Sequence, residues 1–229
     1  MLLMSPGSAM AAQHKVPGQV YLVVADKLSI DDIDKVAMPH LTRLVHDGAV
    51  GLASTRTLGS NNTENGALTI GAGNLARSFK PGVVAYNVDE TVHGLHKPAG
   101  ELHRALTGYE PYADGSVLLS LPALMAGMAK ENTNTQLGSL GENLQANGFQ
   151  VCVLGNGDYG NTADANSRPA ASIAMDACGR VPLGNISSRT TVTSTSFLGL
   201  ETNYDYLYQE LAQYKTTADV MVIELSDLA

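Results

Sequence analysis

Cysteine is scarce in this chain. Cys152 and Cys178 are the only two among 229 residues, too few for a disulfide framework and without the spacing of a zinc tetrad. Cys152 sits in the apolar run 149–154 and reads as a buried core thiol. Basic side chains are also few, 14 against 22 acidic ones, for a net charge of -8. A general nucleic-acid binder needs a basic footprint, so the charge argues against that class. An anionic small molecule is not, because a bound metal ion can reverse the field of a site. No apolar run reaches the roughly 18 residues of a membrane span. With 44% hydrophobic and 16% charged residues, the composition is that of a folded globular chain rather than a disordered one.

The first residues have little polarity. Ala9-Met10-Ala11 resembles a signal-peptidase site, but the basic n-region is missing and the apolar run is short. Residues 1–18 therefore read as a signal-peptide remnant, which points outside the cytoplasm, or else as a disordered N-terminus. Residues 19–229 read as one α/β domain.

The run 19–25 is nearly all apolar and rich in valine, the pattern of a buried parallel strand, and it ends at Asp26. Residues 37–47 carry Met38, Leu41, Leu44 and Val45 at helical spacing, closed by Gly48. Strands are expected at 49–54, 149–154, 171–175 and 220–224. Helices are expected from about Thr63, over 118–130, over 136–146 and over 204–214. Alternating strands and helices predict a mostly parallel central sheet with helices on both faces.

Three polar features fall at strand ends, where ligands collect in open α/β sheets: Asp26, the Asn62-Thr63 loop, and Glu224 with Asp227. Asp26 alone could be a metal ligand, a helix cap or an Asx turn. Thr63 could be a hydroxyl presented to a phosphate at a helix N-terminus, or an ordinary cap residue. The residues alone do not separate these readings. Gly71-Ala-Gly73-Asn-Leu-Ala76 also fits the dinucleotide fingerprint G-x-G-x-x-A. Its glycines follow a helix start instead of opening one, and Pro81 leaves little room for a crossover helix. A Rossmann-type nucleotide-binding domain is therefore a weaker alternative.

The segment Asn62-Thr63-Glu64-x-Gly66-x-Leu68-x-Ile70-Gly71-Ala72-Gly73 resembles the nucleophile segment of cofactor-independent phosphoglycerate mutases, Asn-Ser-Glu-x-Gly-x-x-Asn-Ile-Gly-Ala-Gly. Those enzymes belong to the alkaline phosphatase superfamily. The upstream order of strand, Asp26, helix and Gly48-Ala-Val-Gly-Leu52 is also similar, so the likeness covers roughly residues 19 to 77. It implies an alkaline-phosphatase-like fold and a metal-dependent hydrolase acting on phosphate, sulfate or phosphonate esters of small molecules.

The same likeness implies Thr63 as nucleophile and metal contact, Asn62 beside the substrate, Asp26 as a metal ligand, and Asp227 or Glu224 as a further one. Two divalent ions, zinc or manganese or magnesium, go with it. Lys27 stands where the mutases have glycine. The later Asp-His pair and further His of the superfamily have no counterpart before Ala229, so the resemblance implies a C-terminally truncated member with an incomplete metal site. A non-catalytic relic of the same fold is the remaining alternative. His93, His96 and His103 come too early in chain order to supply those ligands and read as exposed or local structural histidines.

Overall fold

The computed structural model describes residues 18–225 and Asp227, apart from Val36, Thr55, 160–165 and 196–198. Of the N-terminal segment 1–18, all but Gly18 lies outside the described residues. In chain order the elements are β1 (Val20–Ala25), α1 (Ile30–Lys35), α2 (Pro39–Asp47), α3 (Thr63–Ala72), β2 (Ala85–Asn87), β3 (Thr91–Val92), β4 (Lys97–Pro98) and α4 (Ala99–Thr107). Then come β5 (Ser116–Leu118), α5 (Leu121–Met128), α6 (Ser139–Ala146), β6 (Val151–Leu154), α7 (Ala170–Ala174), β7 (Arg180–Val181) and β8 (Leu183–Asn185). The chain closes with β9 (Thr191–Thr193), β10 (Leu200–Thr202), α8 (Tyr204–Tyr214) and β11 (Val220–Leu225).

The central sheet has four strands in the order β1-β11-β6-β8, and every pairing in it is parallel. Successive side chains of a strand point to opposite faces, and the core divides accordingly. Val151, Val153 and Val222 enter one cluster with Leu68 of α3 and Ile173 of α7. Cys152, Leu154, Met221 and Ile223 enter a second cluster with Leu207 of α8. Helices therefore cover both faces, as the alternating pattern predicts. A separate three-stranded antiparallel sheet, β2-β5-β7, packs beside this layer and has no clear sign in the sequence.

Three expectations need correction. Residues 49–54 form no strand. In consequence β1 is an edge strand, and Val20, Tyr21 and Val23 are exposed instead of buried. The cause is visible in the packing: α8 lies over β6 and β8, at the opposite end of the sheet. Finally, 171–175 is not a strand. Residues 171–174 belong to α7, whose sequence Ala-Ala-Ser-Ile-Ala follows Pro169, and Met175 caps its end. A short apolar run does not declare its own period, and proline suits a helix start because its missing N–H would have no partner there.

Helix α7 crosses α3 at Gly71. A Cβ at Gly71 would come within 2.2 Å of the Ser172 carbonyl oxygen. Gly73 caps α3 in the left-handed region with φ 62, a conformation glycine adopts without steric cost. The two glycines of the apparent dinucleotide fingerprint thus serve a helix crossing and a helix end. Neither lies in a strand-to-helix turn.

Candidate functional site

Asp26 follows β1 directly, at the carboxyl end of the sheet. Its Oδ1 accepts from the Lys27 backbone N–H at 2.9 Å. Lys27 has φ 60, an uncommon conformation for a side chain larger than asparagine, and it turns the chain sharply away from the strand. Thr63 is the first residue of α3. The cap belongs to its neighbour: the Asn62 side chain accepts from the Asn65 N–H at 2.8 Å. Capping therefore makes no demand on the Thr63 hydroxyl, which donates to Asp26 Oδ2 at 2.5 Å across 37 residues of sequence. Of the two readings that the residues left open, simple capping is the one this geometry removes.

The loop before α3 is braced from several sides. Asn65 Nδ2 donates to the Ser60 carbonyl at 2.7 Å, and Asn65 Oδ1 accepts from the Ser78 N–H at 2.6 Å. Glu64 Oε1 accepts from the Val83 N–H at 2.9 Å. The motif residues Asn62, Glu64 and Asn65 thus fix the start of the helix and leave Thr63 at the mouth of a cleft of about 720 Å³. Asp26, Lys27, Arg56 and Asn62 line the same cleft, with Ile70 and Ile173 on its walls.

The other two candidate carboxylates have partners of their own. Asp227 Oδ1 accepts from the Thr202 N–H at 2.7 Å, and its Oδ2 accepts from the Tyr204 hydroxyl. It ties the end of β11 to the β9–β10 ribbon. Glu224 points to the α7 face and is buried, with Oε2 3.3 Å from the Ala170 N–H. Burial pushes its carboxyl up from the usual 4.5 to about 8. The Ala170 N–H pulls it down, the charges of Asp158 and Asp26 add to the rise, and Arg168 opposes it.

Asp26 and Thr63 are therefore the two candidate ligands that meet. Two catalytic metals need several oxygen or nitrogen ligands each. Among the described residues no group of three or more His, Cys, Asp and Glu is placed to hold a metal ion. One carboxylate and one hydroxyl fall short of a two-metal set. Of the early histidines, His103 is buried with Nε2 2.9 Å from the Cys178 carbonyl oxygen, a structural contact.

Sequence reasoning missed the group that supports the cleft from below. Arg168 is buried and bonds Asp158 through Nη2 at 2.8 Å and Glu90 through Nη1 at 2.6 Å. Its guanidinium also lies 5.2 Å from the centroid of the Tyr86 ring. Burial works against its charge, but the two carboxylates outweigh that and hold its proton more firmly than usual. Pro169 and Ala170, which line the cleft beside Thr63, follow it directly. The partners are 78 and 10 residues away in sequence, so no local motif announces them.

The Glu224 shift fixes the sign of a pH effect. The fold favours its protonated form, so between 4.5 and about 8 the folded chain binds more protons at this group than the unfolded chain. Its contribution to stability is full below 4.5, declines as pH rises, and is lost above about 8. With a chelator present, thermal melts of the wild type are expected to fall more steeply across this window than melts of Glu224→Gln, by several degrees. Parallel curves would show that Glu224 titrates normally.

Comparison with family models, curated proteins and solved structures found no match to this chain. Among the described residues no helix is long and apolar enough to cross a membrane.

Proposed function

We propose that this chain is a phosphoester hydrolase of the alkaline phosphatase type, with Thr63 as the phosphoryl acceptor. The observation that carries the reading is the Thr63–Asp26 hydrogen bond at 2.5 Å inside an open cleft. A threonine hydroxyl is a weak nucleophile until a neighbouring base takes its proton. Asp26 is oriented by the Lys27 N–H and accepts from the hydroxyl itself, which is the geometry such a base requires. The likeness of residues 62–73 to the mutase nucleophile segment supports the same assignment.

The chemistry has two displacements. Thr63 Oγ attacks phosphorus in line, the bond to the leaving alkoxide breaks, and Asp26 accepts the hydroxyl proton. Water then attacks the phosphothreonine, and the phosphate leaves Thr63 Oγ, which regains its proton from Asp26. The N-terminal end of a helix, where Thr63 stands in α3, favours negative charge. Sulfate and phosphonate esters present the same tetrahedral anion and fall within the proposal. The Rossmann alternative loses support because Gly71 and Gly73 serve α3 itself.

The test is turnover of p-nitrophenyl phosphate and bis-p-nitrophenyl phosphate in buffer with added Zn²⁺ or Mn²⁺. Removing a positioned base costs about 10²–10⁴-fold in rate. Asp26→Asn is expected to lower kcat in that range while melting like the wild type. Equal rates for the two proteins would remove Asp26 from the mechanism, and a wild type without turnover would favour the non-catalytic relic.

A further inference from the structure

The cleft around Thr63 differs in charge from the chain that builds it. The whole protein carries a net charge of -8. Yet the described cleft lining holds one acidic side chain, Asp26, and two basic ones, Lys27 and Arg56. The arginines elsewhere are occupied. Arg43, Arg77, Arg104, Arg168 and Arg180 are each ion-paired, and Arg189 lies over the Tyr206 ring at 4.5 Å. Arg56 has no ion pair, hydrogen bond or ring contact among the described residues.

Its position is also fixed from the next residue onward. Thr57 Oγ1 donates to the Ser60 carbonyl at 3.0 Å, and the Leu58 N–H donates to the Ala76 carbonyl at 3.1 Å. Asn65 holds the same Ser60 carbonyl from α3. An unpaired guanidinium carried next to a braced loop, in the lining of a cleft, is available to a planar, bidentate anion. The same cleft also has apolar lining with accessible surface, from Val24 and Ile70.

We infer that Arg56, assisted by Lys27, clamps the non-bridging oxygens of the substrate, and that the cleft selects esters whose alcohol is apolar, seated against Ile70 and Val24. The assignment rests on Thr63 being the acceptor, and it adds the specificity of the same site. Substrates with polar, sugar-like alcohols gain nothing from these walls and lose the hydration of their hydroxyls.

The test is isothermal titration of the metal-free protein, chelator present, with phenyl phosphate and with inorganic phosphate. The wild type is expected to bind phenyl phosphate more tightly than inorganic phosphate. Arg56→Met is expected to weaken both by about 10- to 100-fold, the usual effect of losing hydrogen bonds to a charged group. Arg56→Lys should recover only part, because an ammonium cannot match two oxygens in one plane. Ile70→Asn, at an exposed helix position, should weaken phenyl phosphate and leave inorganic phosphate unchanged.

A wild type that binds neither ligand, or an Arg56→Met variant that binds both as well as the wild type, overturns the inference. So does an Ile70→Asn variant that keeps the preference for phenyl phosphate. The underlying reading fails separately: phenyl phosphate bound through Arg56 but never hydrolysed would leave the anion site standing without a hydrolase. Hydrolysis with an unaltered KM in Arg56→Met would do the reverse.

Discussion

Thr63→Ala is expected to lower turnover of an aryl phosphate ester by about 10⁴-fold or more, the size of effect seen when a nucleophile that acts as a unit with its base is removed. The substitution deletes the one atom that could carry the phosphoryl group and leaves Asp26 with no hydroxyl to deprotonate. The fold should tolerate it. Asn62 supplies the cap, Thr63 is half-buried, and alanine is a good helix former. Thr63→Ser keeps the hydroxyl and its reach to Asp26, so it should retain measurable turnover. The pair of variants separates a nucleophile from a packing residue: loss in both, with unchanged melting, would point to the threonine methyl group and against the chemistry.

The second large effect is structural. Arg168→Met should lower the free energy of unfolding by about 3–5 kcal/mol, because it leaves the buried Asp158 and the half-buried Glu90 without their cation. Asp158 would lose its only described ion-pair partner, and Glu90 its own, while the Ala85 carbonyl would lose the Arg168 Nη1 donor. Urea melts near neutral pH read this directly. The companion variant Arg168→Met with Asp158→Asn and Glu90→Gln should recover part of the loss, since amides can be buried with a smaller penalty than charges. A loss below about 1 kcal/mol, the range of an exposed ion pair, would mean the network is solvated and does not hold the cleft wall. Because Pro169 and Ala170 border Thr63, the same variant should also raise KM.

Much of the central layer was legible in the sequence because its signals are periodic. The valine-rich runs that became β1, β6 and β11 and the helical spacing of α2, α6 and α8 needed no tertiary information to recognise. The segment 171–175 was not legible: its five residues are too few to carry a period, and the helix they join packs against α3 at Gly71. The buried fate of Glu224 was readable in principle. It shares a strand face with Val222, which faces α3 and α7, so alternation alone puts its carboxyl in the core.

The pairing of Asp26 with Thr63 was anticipated from chain order and the 62–73 motif, not from any local rule. The Arg168 network was illegible, since its members lie on three separate segments. The uncovered faces of β1 and α2 run against their patterns. The hydrophobic stripe of α2 predicts packing, yet Leu44 and Val45 are exposed and no residue of the helix is buried.

The most direct test is to find where the phosphoryl group goes. The protein would be mixed with phenyl phosphate and Zn²⁺ or Mn²⁺, quenched in acid, which phosphothreonine survives, and mapped by peptide mass spectrometry. One phosphoryl group on Thr63 in the wild type, and none on the same peptide in Thr63→Ala, is the expected result. Phosphate released while no residue is modified, or a phosphoryl group on any residue other than Thr63, would contradict the assignment of Thr63 as the acceptor.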